Sequence, residues 1–218
     1  DCAVGLEHTV VTGVSQRNLR VMKYRGSGFA ESAAPMIIGE RGIEVAGDLP
    51  VRGPARASTA RVSTGITDLD DMLSGGYHEG SSALITGSPG TAKTTLAGAF
   101  VQATCARGDR ALFISFDSEP AEIVRNLASV NIRLTRHLRE GRLLMESRSA
   151  LSASAESQLL AIRRLLDTHR PAVLVIDPVS ALSKQGNETT GFGVAERLIA
   201  LAKSRGITVL CTSLLGDA

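Results

Sequence analysis

The sequence predicts an α/β protein with a mostly parallel central sheet flanked by helices, preceded by a short β-rich segment. Three observations carry this prediction. After residue 60, short apolar runs alternate with helical patterns, which is typical of parallel strands buried on both faces. A glycine-rich loop joins one of these runs to the helix that follows it. Before residue 48, short β-like runs follow one another without a helix between them.

The composition excludes several classes of protein. With 43% apolar and 21% charged residues among 218, the chain has the balance of a globular protein and is not disordered throughout. The formal net charge of +2 does not indicate a nucleic-acid or membrane partner, and the 3% of aromatic residues offer few platforms for stacking on bases. No apolar run approaches the roughly 20 residues that span a bilayer, so a membrane protein is not expected. The chain begins at Asp1 rather than at methionine, which suggests a fragment.

The first 60 residues divide into a strand-rich segment and a linker. Residues 1–47 are too few to bury a core of their own, and glycines punctuate them as turns would. Residues 48–60 combine prolines, small residues and arginines, a composition typical of a linker. Residues 61–218 then form the α/β unit. The strands expected in the first segment are His8–Val11, Leu19–Tyr24, Met36–Ile38 and Gly42–Val45.

The α/β unit is predicted to contain five strands and four helices. Pro120 suits the first turn of its helix, and Ser118 or Glu119 can cap that helix. Each strand is a short apolar run, and the helix over residues 154–169 has leucines and an isoleucine along one side. The expected strands are Ala83–Thr86, Arg110–Phe116, Arg142–Glu146, Ala172–Ile176 and Ile207–Thr212, and the expected helices are Thr94–Cys105, Pro120–Ser129, Ser154–His169 and Val194–Ser204.

The loop over residues 87–94, Gly-Ser-Pro-Gly-Thr-Ala-Lys-Thr, is the strongest functional motif. Its small residues let backbone N–H groups turn towards phosphates, and the N-terminus of the next helix adds partial positive charge. We expect Lys93 to contact the β- and γ-phosphates of ATP and Thr94 to place its hydroxyl on Mg²⁺. The alternative is a glycine-rich turn without a ligand. The residues expected to contact the nucleotide are Ser88, Pro89, Gly90, Thr91, Ala92, Lys93, Thr94 and Thr95.

One position of this loop departs from the usual pattern. Ala92 stands where phosphate-binding loops of this kind have glycine directly before the lysine. Its methyl group must therefore tolerate the close approach of a phosphate.

Two aspartates end predicted strands and supply the acidic half of such a site. Asp177 follows the apolar run 172–176 and is expected to organise Mg²⁺, although it also fits a turn aspartate before a proline. Asp117 is the best candidate to position or deprotonate the attacking water. The same residue fits a helix cap equally well, and the residues alone favour neither role. Thr212 and Ser213 end the last strand and are candidates to sense the γ-phosphate.

The cysteines and histidines do not predict a disulfide framework or a metal site. Cys2, Cys105 and Cys211 are odd in number and far apart, so a reducing cytoplasm is a simpler interpretation than a disulfide framework. The four histidines are scattered, and no Cys/His pair has the spacing of zinc ligands. We expect core thiols and surface imidazoles.

Further motif residues lie before and after the phosphate loop. They are Val62-Ser63-Thr64-Gly65, Leu69-Asp70, Leu73, Gly75-Gly76, Gly80, Ile114–Ser118, Val124–Ala128 and Ile176–Leu182. Together with the loop, these motifs resemble the KaiC family of ATPases, over nearly the whole chain. The residues before and within the loop are similar to those of both KaiC and RadA ATPases, whereas the later segments resemble KaiC. The resemblance implies a RecA-like P-loop NTPase fold that binds ATP and Mg²⁺.

The resemblance also implies an assembly. KaiC proteins carry two such ATPase domains in tandem and form double-ring hexamers with ATP between subunits, and the clock member phosphorylates itself in its second domain. By this resemblance, residues 1–47 are the C-terminal tail of a first ATPase domain, and residues 61–218 are a second domain without its last strands. Lys23 and Arg25 would then contact a neighbouring subunit's ATP. From the sequence alone, both fit an exposed strand with alternating charges.

Three departures from the family pattern concern the chemistry. The family has two consecutive glutamates where this chain has Asp117-Ser118, so one carboxylate is shortened and the other is absent. A small misplacement at a reacting centre can remove a large part of the rate. Val130 stands where the clock protein has a tryptophan near the adenine, which weakens stacking on the base. The segment that becomes phosphorylated would lie beyond Ala218.

The leading hypothesis is a Mg²⁺-dependent ATPase of the KaiC type with a regulatory or signalling role, regulatory protein partners and, by resemblance, Ser/Thr autokinase activity. One alternative is a DNA-dependent ATPase of the RadA type, which needs basic loops near the ring axis. The corresponding residues 183–193 contain one lysine, one glutamate and one phenylalanine, which is thin support. The other alternative is a scaffold that binds ATP and barely cleaves it, which Asp117-Ser118 favours.

Overall fold

The computed structural model describes residues 1–11, 14–39, 42–45, 58–149, 154–184 and 188–214. Most of the predicted linker, residues 48–57, lies outside the described residues, as do the side chains of most of the predicted axial loop, residues 183–192.

The N-terminal region is a four-stranded antiparallel sheet in the order β1-β2-β3-β4. Its strands are longer than the sequence predicts, because residues before His8 continue the pairing; Leu6, for example, lies opposite Leu19. Leu6 and Met22 are both 67% exposed, and Met36 is the one buried apolar side chain among the described residues of this sheet. The sheet therefore buries almost no core of its own. Its strands are β1 (Cys2–Val11), β2 (Val14–Tyr24), β3 (Ala34–Gly39) and β4 (Gly42–Val45).

The α/β region confirms the predicted fold class. Its main sheet has five parallel strands in the order β7-β11-β10-β8-β9, with helices on both faces. The elements in chain order are β5 (Arg61–Val62), α1 (Thr67–Met72), β6 (Tyr77–His78), β7 (Ser82–Gly87), α2 (Lys93–Ala106), β8 (Ala111–Ser115), α3 (Pro120–Ser129), α4 (Thr135–Arg139), β9 (Leu143–Ser147), α5 (Ala155–His169), β10 (Val173–Asp177), a 3-10 helix (Val179–Lys184), α6 (Glu188–Ser204) and β11 (Thr208–Leu214).

Strand β8 illustrates why the strands are apolar without alternation. Leu112 and Ile114 pack with α5 and α6 on one face of the sheet. Ala111 and Phe113 pack with α2, α3 and α4 on the other face. Because both faces are covered, every residue of the strand is buried, and a continuous apolar run is the result.

Some elements differ from the sequence-based expectation. Helix α6 begins at Glu188, six residues before the expected Val194, and the two short helices α1 and α4 were not expected. Glu119 occupies the cap position of α3, but its side chain makes no capping hydrogen bond. Pro120 follows it and has no N–H group to satisfy, so this helix start has fewer unpaired donors.

The two regions touch through β3, β4 and α5. The Nε of Arg164 on α5 donates to Oε2 of Glu44 on β4 at 2.8 Å, and a second guanidinium nitrogen contacts the other carboxylate oxygen. This paired geometry is the stronger form of arginine–carboxylate contact.

The topology brings the predicted site residues to one edge of the sheet. Strands β7, β8, β10 and β11 are parallel, so their carboxyl ends meet at the same edge. Ligands of open α/β sheets bind at this edge.

Candidate nucleotide-binding site

The phosphate loop closes around its own lysine. Strand β7 ends at Gly87 and α2 begins at Lys93, as the motif predicts. The Lys93 side chain is buried, and its Nζ donates to the carbonyl oxygens of Gly87 and Ser88, each at 2.7 Å. The ammonium group therefore lies inside the loop, at the N-terminal end of a 14-residue helix. Backbone N–H groups and the helix dipole at this end favour an anion.

Ala92 takes an unusual backbone conformation. It lies at the cap position of α2 with φ of +64°, in the left-handed region. A residue with a Cβ costs about 1–2 kcal/mol there, whereas glycine adopts this conformation freely. The backbone thus explains why glycine is usual before the lysine, and this chain holds an alanine against that preference.

Three hydrogen-bonded side chains link the phosphate loop to the ends of β10 and β11. The Thr94 Oγ1 donates to Oδ2 of Asp177 at 2.7 Å, although the two residues are 83 positions apart in the chain. The Thr212 hydroxyl donates to the other oxygen, Oδ1. Asp177 is 7% exposed and Thr212 is fully buried. Both carboxylate oxygens are therefore held, and the carboxylate faces the first turn of α2.

This group suits a magnesium ion held partly by its nucleotide. Mg²⁺ prefers oxygen ligands and usually takes one or two from the protein, with waters and phosphate oxygens completing its shell. The Thr94 hydroxyl and an Asp177 carboxylate oxygen lie 2.7 Å apart, which is close enough for both to bind one ion. In the described parts of the chain, no group of three or more His, Cys, Asp or Glu side chains could hold a metal by itself.

Asp117 lies beside Asp177 but in a different environment. The N–H of Phe116 donates to the carbonyl oxygen of Asp177 at 2.8 Å, which places Asp117 one residue from that contact. Asp117 is exposed, and among the described residues no side chain donates a hydrogen bond to its carboxylate. Hydrogen bonds of the backbone around Asp117 therefore set its position.

Ser115 sets that backbone position, and the sequence analysis missed it. Its side chain is 1% exposed, and its Oγ accepts from the N–H groups of Ser118 at 3.0 Å and Asp117 at 3.4 Å. Ser115 also lies opposite Asp177 in the pairing of β8 with β10. A polar residue at the end of an apolar strand was the available signal.

Arg148 is a second residue that the sequence analysis did not identify. It follows β9, its N–H donates to the Ser115 carbonyl at 2.8 Å, and its guanidinium contacts Glu146 at 3.3 Å and the Gln158 side chain. These contacts fix the end of β9 beside the Asp117 turn.

Other predicted site residues lie elsewhere or make only local contacts. Lys23 is the next-to-last residue of β2 and Arg25 follows that strand, so both lie at the N-terminal sheet rather than at the carboxyl edge. Arg25 pairs with Asp1 at 3.3 Å, with both side chains exposed. The Ser213 Oγ lies 3.4 Å from the carbonyl oxygen of the next residue. Val130 follows α3 and is 54% exposed.

The motif upstream of the loop has a structural role around Asp70. Its carboxylate accepts hydrogen bonds from the side chain of Ser63 and from both the N–H and the hydroxyl of Thr64. Burial raises the pKa of Asp70, but these bonds outweigh it and hold the pKa below its usual value. A Cβ on Gly65 would lie 2.4 Å from the carbonyl oxygen of Ala99 in α2, so this position needs glycine. The motif thus packs directly against the helix that begins with Lys93.

The three cysteines are free, and two of them belong to the core. Burial raises the pKa of Cys211 to about 12 and that of Cys105 to about 11. Both therefore stay as thiols at neutral pH. Within the described residues, no helix combines the length and apolar character needed to cross a bilayer.

Comparison with known proteins finds one family along the α/β region. The family model described as "ATPase: KaiC" matches residues 62–215. The chain is 39% identical over 220 residues to the "Circadian clock protein KaiC2" of a Synechocystis species, covering 99% of this chain. It is 30% identical over 198 residues to the "Circadian clock oscillator protein KaiC" of Synechococcus elongatus, covering 91% of this chain. The chain spans 38% of the length of each of these relatives.

Proposed function

Since the chain belongs to the KaiC family of ATPases, we propose that it binds ATP with Mg²⁺ at the phosphate loop and hydrolyses it slowly, in a regulatory role. The observation that carries the proposal is the contact between Thr94 and Asp177. It joins the first turn of α2 to the end of a buried strand, which is the arrangement that Mg²⁺–ATP needs between its phosphates and a carboxylate.

Lys93 has the central part in nucleotide binding. In the proposed complex, its Nζ exchanges the carbonyl oxygens of Gly87 and Ser88 for oxygens of the β- and γ-phosphates. The N–H groups of residues 88–95 and the N-terminus of α2 surround the same phosphates. Thr94 and Asp177 hold the metal, and Thr212 keeps the carboxylate turned towards it. When bound, Mg²⁺ neutralises negative charge on the β- and γ-phosphate oxygens.

Asp117 has the hydrolytic part in this proposal. Its carboxylate accepts a proton from the attacking water, the water oxygen forms a bond to the γ-phosphorus, and the bond to ADP breaks. The exposed carboxylate has one methylene fewer than the glutamate of the family pattern, and serine follows it where a second glutamate would be. We therefore expect slow turnover, because the distance between base and water matters strongly.

The assembly and regulatory parts of the proposal come from the family resemblance. We propose that the full-length protein is a hexamer with regulatory protein partners, and that Lys23 and Arg25 contact the nucleotide of a neighbouring subunit. Ser/Thr autokinase activity of the full-length protein is proposed from the resemblance alone. The free, buried thiols of Cys105 and Cys211 are consistent with a reducing cytoplasm as its location.

A nucleotide-controlled scaffold is the second candidate. It is favoured by the contrast between the fully bonded Asp177 and the exposed Asp117. Such a protein would bind ATP as tightly as an ATPase but barely cleave it.

The test is ATP affinity and turnover of the full-length protein, measured beside its oligomeric state with and without ATP. The proposal expects Mg²⁺-dependent binding and slow, measurable hydrolysis. Binding without hydrolysis would favour the scaffold. Absence of binding, or hydrolysis that requires DNA, would contradict both.

A further inference from the structure

Positive charge is concentrated on one short stretch of the α/β region. Residues 131–142 carry four arginines and one glutamate, so this stretch has a higher net charge than the +2 of the whole chain. The rest of the chain is therefore slightly acidic. The arginines recur at every third position, from the turn after α3 to the turn after α4. We call these four residues the arginine surface. It consists of Arg133, Arg136, Arg139 and Arg142.

Two shallow grooves flank the arginine surface. The first has a volume of about 490 Å³ and runs between α3 and α4, where Val124 and Ala128 form an apolar side facing Arg139. The second, of about 540 Å³, lies between α4 and the end of α2. Arg133 and Arg136 line both grooves and form the ridge between them.

The arginines are only partly neutralised within the chain. The Glu140 carboxylate pairs with Nε of Arg136 at 2.6 Å and with Nη1 of Arg142 at 3.6 Å. Arg133 and Arg139 are exposed, and neither forms an ion pair with any of the described residues. Two guanidinium groups thus remain available, each with a planar set of donors that matches a carboxylate.

We propose that the arginine surface docks an acidic segment of a partner protein, with carboxylates on Arg133 and Arg139 and one apolar side chain in the groove beside Val124 and Ala128. Charge complementarity selects acidic partners and speeds encounter, and the apolar side of the groove supplies a contact that charge alone lacks. Nucleic acid fits less well, because no Phe, Tyr or Trp side chain among the described residues lines either groove, and such side chains are the usual platforms for stacking on bases.

The test uses a short fluorescein-labelled peptide with glutamates on both sides of one leucine. Its binding to the full-length protein is followed by fluorescence anisotropy at low salt. The R133E/R139E variant reverses both unpaired charges and is expected to weaken binding at least about tenfold, since it replaces two attractions with repulsions. A peptide with serine in place of the leucine is expected to bind about threefold more weakly, because the apolar contact is lost.

Lys203→Glu is the matched control. Lys203 is exposed on α6 and belongs to neither groove, so K203E changes the protein charge without touching the arginine surface. Peptide binding within about twofold of the unmodified protein is expected for this control. All variants should have unchanged thermal unfolding midpoints, which excludes misfolding as the cause.

Three results would overturn the proposal. The first is an equal loss of peptide binding in K203E and R133E/R139E, which would show that binding depends on the net charge of the protein and not on the arginine surface. The second is tighter binding of labelled oligo(dT) than of the peptide, together with loss of oligo(dT) binding in R133E/R139E. The third is loss of the hexamer in R133E/R139E, which would make the arginine surface a contact between copies of this chain.

Discussion

The two acidic groups at the carboxyl edge of the sheet are held very differently. Asp177 is buried, and both of its carboxylate oxygens accept hydrogen bonds, from Thr94 and from Thr212. Asp117 comes from the adjacent strand but is exposed, with its position set only by backbone contacts to Ser115 and Asp177.

In the proposed site, this difference would separate nucleotide binding from hydrolysis. A carboxylate fixed by neighbouring hydroxyls is ready to hold Mg²⁺ without further ordering. A shortened and exposed base, whose carboxylate accepts no side-chain hydrogen bond from the described residues, is less well placed relative to the water. We therefore expect a site that binds Mg²⁺–ATP well and cleaves it slowly. ATP binding and ATP hydrolysis should therefore respond to different substitutions, at a binding half (Lys93, Thr94, Asp177 and Thr212) and a hydrolytic half (Asp117).

The largest expected effect is in the binding half. Lys93→Ala removes the charge that is proposed to contact the β- and γ-phosphates, and we expect ATP affinity to fall about 100-fold and turnover to disappear. Isothermal titration calorimetry and phosphate release measure the two quantities. Lys203→Ala, an exposed lysine on α6, is the control. An unchanged affinity in the Lys93 variant would mean that ATP binds elsewhere.

The hydrolytic half should respond to Asp117→Asn without a change in binding. The amide cannot accept the proton of the attacking water, so we expect turnover to fall about 100-fold. ATP affinity should stay within about twofold, because Asp117 does not belong to the group proposed to hold the metal. Turnover equal to that of the unmodified protein would show that Asp117 has no part in hydrolysis.

Thr212→Val tests whether Thr212 acts through Asp177. The valine leaves one carboxylate oxygen without its donor, and we expect the Mg²⁺ concentration for half-maximal activity to rise about tenfold. Thr212→Ser keeps the hydroxyl and should restore the value. If both variants behave alike, the hydrogen bond seen in the structure has no part in metal binding.

Ala92→Gly has the smallest expected effect and tests the backbone of the loop. Glycine relieves the left-handed conformation, so we expect the free energy of unfolding to rise by up to about 1 kcal/mol. Ala103→Gly, inside the same helix α2, should lower it by about 1 kcal/mol. Urea unfolding measures both. A loss of stability at both positions would mean that Ala92 is not strained.

Much of the fold and part of the site follow from local sequence. The apolar runs of β8 and β10 and the loop from Gly87 to Thr94 each carry a strong local signal, and strands ending in acidic residues indicate which edge bears the site. The structure places Thr94, Asp177 and Thr212 together at that edge.

Other features depend on tertiary contacts and have no local signal. The contact of the Thr212 hydroxyl with Asp177 depends on β10 and β11 being neighbours in the sheet. The position of the Asp117 turn beside Asp177 depends on the pairing of β8 with β10. The two short helices α1 and α4 have five or six residues each, too few for a clear periodic pattern.

The most direct test of the central claim is Asp117→Glu, which restores the missing methylene. Single-turnover hydrolysis and ATP affinity are measured on the same full-length preparation. We predict faster cleavage, by about tenfold, with affinity unchanged within about twofold, because only the placement of the base changes. A slower or equal rate, or an altered affinity, would contradict the division of the site into a prepared binding half and a limiting hydrolytic half.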